Sequence, residues 1–114
     1  MSEFNLMEEC ELFDIVCGDL KCIHDTKSST YKDSWRKRGE LISVFGNLAR
    51  KFDRLENIAK DPDKWSNALR GKLGEAIEDT VMDLAVYAIL WCTYIKKNRP
   101  EQYTRALQRA KAIE

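Results

Sequence analysis

Apolar residues return every third or fourth position through most of this chain, the spacing that keeps one face of a helix apolar. Leu6, Cys10, Phe13, Val16, Cys17, Leu20 and Ile23 trace one such stripe and predict a first helix from about Glu3 to Asp25. The stripe stops in TKSSTYKDSWRKR, Thr26 to Arg38, which is rich in Ser and Thr and reads as a connection. A second helix is predicted from about Gly39 to Lys60, with Leu41, Phe45, Leu48, Phe52, Leu55 and Ala59 on one face. Asp61-Pro62 has the form of an N-cap followed by a first-turn proline, opening a short helix through Trp65 and Leu69 that stops near Gly71. A third long helix covers about Gly74 to Lys97. Asn98, Arg99 and Pro100 separate it from a last helix that uses Tyr103, Leu107, Ala110 and Ile113.

Strand-like alternation is scarce and the chain has only five Gly and two Pro, so the pattern predicts an all-α fold, a small bundle of four to five helices. Its 114 residues suit one domain, 1–114, with one core. The third helix changes character along its length. Its first half is apolar on one side, carrying Ile77, Val81 and Leu84, whereas LAVYAILWCTYI, from Leu84 to Ile95, is apolar almost all round. Such a helix needs cover on more than one face, which predicts a central position and a homo-oligomer.

Charge removes several function classes. Lys plus Arg and Asp plus Glu number 19 each, so no net field favours a nucleic-acid polymer or an anionic membrane. The longest apolar run, about a dozen residues, falls short of the roughly 20 that a membrane span requires. MSEFNLMEEC is acidic and lacks the hydrophobic region of a signal peptide, so a cytoplasmic protein is expected. Cysteines at 10, 17, 22 and 92 form no C-x-x-C pair, and reduced, mostly buried thiols are expected. Cys17, Cys22 and His24 are a poor zinc set, because positions 17 and 22 lie on different helix faces and no fourth ligand accompanies them.

Two groups of residues carry candidate chemistry. Glu75, Asp79 and Asp83 line one strip of the third helix, with Glu78 nearby. First-turn acids complement the helix dipole, which accounts for Glu75 and Glu78. Asp83 lies deeper, at the margin of the apolar stretch, and needs either a cation on a neighbouring helix or a bound metal. Residues i and i+4 are about 6 Å apart along the axis, so Asp79 and Asp83 can converge on Mg²⁺, an ion that keeps waters and leaves room for phosphates. Alternatively, Lys51 and Arg54 make buried salt bridges to Asp79 and Asp83. The second group is basic and aromatic. Glu40, Asn47, Lys51 and Arg54 flank the apolar stripe of the second helix, and YKDSWRKRGE places Tyr31, Ser34, Trp35 and Lys37 just before it. An aromatic ring there can stack on a base, while the cations attract a charged tail. The plain reading is a Trp that anchors a helix connection among solvated cations.

The order YKDSW, then KFDRLE on a long helix, then GEAIEDTVMDLAVYAI resembles the phage nucleotide modification associated domain group, a relative of the MazG-like all-α NTP pyrophosphohydrolase superfamily, over about residues 26–97. In MazG-like enzymes clustered glutamates on one helix and an acidic pair on the next hold Mg²⁺ against a nucleoside triphosphate. The resemblance implies metal ligation by Asp83, Asp79, Glu75 and Glu78, and catalytic roles for Asp79, Asp83 and Glu75. Where the superfamily places Glu-Glu-x-x-Glu, this chain has ARKFDR, so Lys51 and Arg54 stand at ligand positions, as in the phage group. Cations there grip phosphate and repel a metal.

The function expected is Mg²⁺-dependent hydrolysis of a nucleoside triphosphate to a monophosphate and pyrophosphate, with nucleotide contacts from Tyr31, Ser34, Trp35, Lys37, Asn47, Lys51 and Arg54. The alternative is a non-catalytic binder that sequesters or senses a nucleotide or cyclic nucleotide. A helical adaptor that binds only protein is a third reading.

Overall fold

The computed structural model describes residues 3–72 and 76–112, and among these it is helical apart from short connections, with no strand. The all-α bundle of five helices matches the periodicity. Helix α1 runs Leu6–Tyr31, capped by the Asn5 side chain, which accepts the Glu8 N–H at 3.1 Å. It continues well past Asp25, into the stretch expected to be a connection. Hydroxyl residues favour turns because they compete for backbone groups, but here they satisfy the helix instead: Thr26 Oγ1 donates to the Cys22 carbonyl and Ser28 Oγ to that of Asp25.

A series of turns over residues 32–38 ends at Gly39, whose φ of 93° is readily adopted only by glycine. The predicted second helix then begins as a π-helical segment, Glu40–Phe45, before settling into α2, Gly46–Ala59. Asp61 caps α3, Pro62–Leu69, by accepting the N–H groups of Asp63 and Lys64. Helix α4 spans Ile77–Asn98 and α5 Pro100–Lys111.

Helix α4 packs against α2, α5, α1 and the π segment, the central position its apolar stretch predicts. The buried seam of α2 differs from the expected stripe. Val44, Lys51 and Ile58, at seven-residue spacing, are the buried positions, while Leu41, Phe45 and Phe52 are exposed. At 100° per residue the helix is turned by roughly 80° from the most apolar orientation. The turn brings Lys51, expected at the edge of the seam, into its centre. The buried set is small: Ala68 and Leu90 join Val44 and Ile58, with Thr80 donating its hydroxyl to the Ala76 carbonyl. The cysteines are free, as expected, but exposed rather than buried. Cys10 sits on the exposed amino-terminal half of α1, and Cys17 at the rim of a groove against α4.

One polar clip closes the far end. The Glu40 carboxylate accepts both guanidinium N–H groups of Arg99 at 2.8 Å and the Trp91 indole N–H at 2.7 Å, and Trp91 in turn meets Phe45 edge-on at 5.9 Å. A bidentate Arg–carboxylate pair fixes direction as well as distance, so the α4–α5 corner is held to the start of the π segment. Arg99, followed by Trp91, holds the Glu40 carboxyl at about 2, below its ordinary 4.5. A carboxyl lowered by folding contributes stability above its unfolded value, and that contribution is lost as the pH falls toward the folded one. Glu40→Gln should therefore melt lower than the unaltered protein at pH 7, and the gap should close between about pH 4.5 and 2. Circular dichroism melts across that range read it, and a gap independent of pH would count against the clip.

Candidate functional site

The carboxyl-terminal turns of α1, the 32–38 turns, α2 and the middle of α4 enclose a cleft of about 450 Å³. Tyr31, Ser34, Trp35, Asn47, Lys51 and Asp83, all singled out in the sequence, line it together. The turns are tied down at two points: Asn47 Nδ2 donates to the Trp35 carbonyl at 3.4 Å, and the Arg38 N–H donates to Ser43 Oγ at 2.8 Å. Trp35 is half-buried and the Arg36 guanidinium lies 6.0 Å from its ring centre, so its indole anchors the connection while also facing the cleft. Lys32, at the lip, holds φ at 51°, an uncommon value for a residue with a side chain.

The electrostatic centre is Lys51. It is only 8% exposed, and its ammonium lies 3.0 Å from Asp83 Oδ2. Lys27 approaches the other Asp83 oxygen at 4.0 Å. An ammonium this far from water requires an anionic partner, and Asp83 supplies it. Of the two partners Asp83 needed on sequence grounds, the neighbouring cation is the one in place. Lys27, Lys32, Arg50 and Lys51 nevertheless set four cations around the cleft against the carboxylate of Asp83, leaving it electropositive. Arg50 is oriented by Asn47 Oδ1, which accepts its Nη2 at 3.3 Å.

Of the expected metal ligands among the described residues, Asp83 lines the cleft and Glu78 and Asp79 do not. Glu78 and Asp79 are exposed in the first turn of α4 and do not line it, consistent with acids that complement a helix dipole. Glu75 lies outside the described residues. No group of three His, Cys, Asp or Glu side chains among the described residues is placed to hold a metal ion, and Asp83 is already engaged by Lys51. Among the described residues, Asp83 is the one carboxylate that lines the cleft. Lys37 and Arg54 are also away from the lining; Arg54 is half-buried on α2.

Sequence reasoning missed Lys27, Ser28, Arg50, Tyr87 and His24 as lining residues. The signal for the first two was present. Once α1 is carried through to Tyr31, Lys27 and Tyr31 are i and i+4 and share a face. Tyr87 lies one turn beyond Asp83 on α4 and was hidden inside the apolar run. A second, apolar groove of about 290 Å³ adjoins the cleft, bounded by Cys17, Leu20 and Lys21 of α1 and by Ile89 and Thr93 of α4; His24, Val86 and Leu90 border both.

The chain is similar to the Gene 30 protein of Bacillus phage SP01, with 30% identity over 111 aligned residues that take in 84% of this chain and 49% of that protein. It therefore spans about half the length of that relative. No protein family and no solved structure matches it. No described helix is long and apolar enough to cross a membrane.

The burial asymmetry of the ion pair gives a direct test. Asp83→Asn strands a buried ammonium, a loss of about 1–3 kcal/mol. Lys51→Met leaves a carboxylate with a third of its side chain in water and should cost less. Urea denaturation should rank Asp83→Asn as the more damaging change; the opposite order would contradict the pairing described.

Proposed function

We propose that this protein binds a nucleotide in the cleft between α1, α2 and α4. The observation that carries the proposal is the lining itself: four cations, one of them buried, and the rings of Tyr31, Trp35 and Tyr87 around about 450 Å³. That volume falls in the ordinary range for small-molecule sites. Aromatic faces accept any base by stacking, and Arg and Lys together suit a di- or triphosphate. Asn47 and Ser34 offer polar contacts for a sugar or base edge. The resemblance to MazG-like nucleotide pyrophosphohydrolases points to the same ligand class.

Binding without turnover is the form favoured here, as a protein that sequesters or senses its ligand. Hydrolysis would require a carboxylate free to orient water or hold a metal, and Asp83 is engaged by Lys51. The incoming phosphate instead competes with Asp83 for the Lys51 ammonium and adds Lys27, Lys32 and Arg50 as partners. Turnover is decided separately: incubation with nucleoside triphosphates, with Mg²⁺ or with EDTA, followed by chromatography, should return them unchanged. Metal-dependent release of monophosphate and pyrophosphate would make the protein a hydrolase.

Binding itself is read by thermal shift. A nucleoside triphosphate at one hundred times its Kd should add about 2.7 kcal/mol of stability. The shift should persist in EDTA, weaken with added salt and vanish in Lys51→Met, while Trp35→Ala should weaken binding about tenfold or more. No shift with any nucleotide would remove the proposal and favour a protein-binding role.

A further inference from the structure

The bundle is too open to be the whole folded unit. Its accessible surface is 9300 Å², against roughly 6,500 Å² for a compact monomer of 13.3 kDa. Its radius of gyration is 16.8 Å, where a compact chain of this length gives about 13 Å. Much of the excess lies on α1, where every residue from Leu6 to Asp19 is exposed. Phe13 is 70% exposed and Leu6 67%, on the stripe that continues into the apolar groove beside α4. An isolated helical stretch of this kind is marginal in water and needs a packed face to persist.

Charge indicates what covers it. From Glu3 to Leu20 the charged residues are all acidic: Glu3, Glu8, Glu9, Glu11, Asp14 and Asp19. The end of the bundle toward which this half of α1 extends is basic, with Lys96 and Lys97 closing α4 and Arg105, Arg109 and Lys111 along α5, where the exposed Leu107 adds apolar surface. Two α1 helices facing each other would set acid against acid. We infer that the protein is a symmetric homodimer in which the acidic, apolar amino-terminal half of α1 docks on the basic α4–α5 end of the second copy, and reciprocally. The surface excess, roughly 2,800 Å² per chain and so about 5,600 Å² for a pair, reaches the upper end of what obligate homodimers bury. A twofold axis makes both contacts at once and leaves neither face open. The inference does not depend on what the cleft binds.

Sedimentation equilibrium should give twice the chain mass of 13.3 kDa, with dissociation promoted by salt. Glu9→Lys with Asp14→Lys should yield a monomer, as should Arg105→Glu with Arg109→Glu. An equimolar mixture of these two variants should recover the dimer, because both reciprocal contacts then join opposite charges. A second measurement needs no substitution. Cys10 and Cys17 on the α1 stripe should react with a bulky maleimide more slowly at concentrations where the dimer forms, while Cys22 on the opposite face keeps its rate. A monomeric native protein would overturn the inference and leave α1 to another segment or a different protein. So would a dimer indifferent to both charge reversals, or thiols equally reactive in monomer and dimer.

Discussion

An ammonium group in the middle of a helix packing face is costly unless a carboxylate answers it, and the pairing of Lys51 with Asp83 meets that condition here. The constraint sets more than one contact. To bring Lys51 against α4, α2 turns its most apolar side partly away, so Val44 and Ile58 form the seam while Leu41 and Phe52 face outward. The same rotation aims Asn47 and Arg50 at the end of α1. Fold and cleft therefore share one interaction. The cleft is held by packed helices, and under the proposed function an anion entering it meets a cation whose partner can be exchanged.

The helices were legible because apolar spacing reports the face that must be covered, and α3, α4 and α5 lie close to where that spacing put them. Three features were not legible for identifiable reasons. The extension of α1 depends on hydroxyl groups of Thr26 and Ser28 bonding backward into the helix, which composition cannot distinguish from a turn. The π segment Glu40–Phe45 leaves no periodic trace in six residues, yet its start presents Glu40 to Trp91 and Arg99. The orientation of α2 follows a charged residue rather than the largest apolar sum, so a hydrophobic wheel points the wrong way.

The site was half legible. Tyr31, Ser34, Trp35, Asn47, Lys51 and Asp83 converge as their pattern suggested, because each stands within a turn or two of a helix junction that the fold brings together. Lys27 was obscured by the misplaced end of α1 and Arg50 by the orientation of α2, while Glu78 and Asp79 lie in the first turn of α4, where they complement its dipole. A small core and a long uncovered α1 stand beside this well-formed cleft. That contrast is physically coherent where assembly supplies cover that the single chain lacks.

Isothermal titration calorimetry of nucleoside triphosphates into the protein in EDTA addresses the cleft most directly. A nucleotide site predicts saturable heat with one ligand per chain, reduced by salt and absent in Lys51→Met. No heat from any nucleotide up to millimolar concentration, or heat unchanged by loss of Lys51, would contradict it.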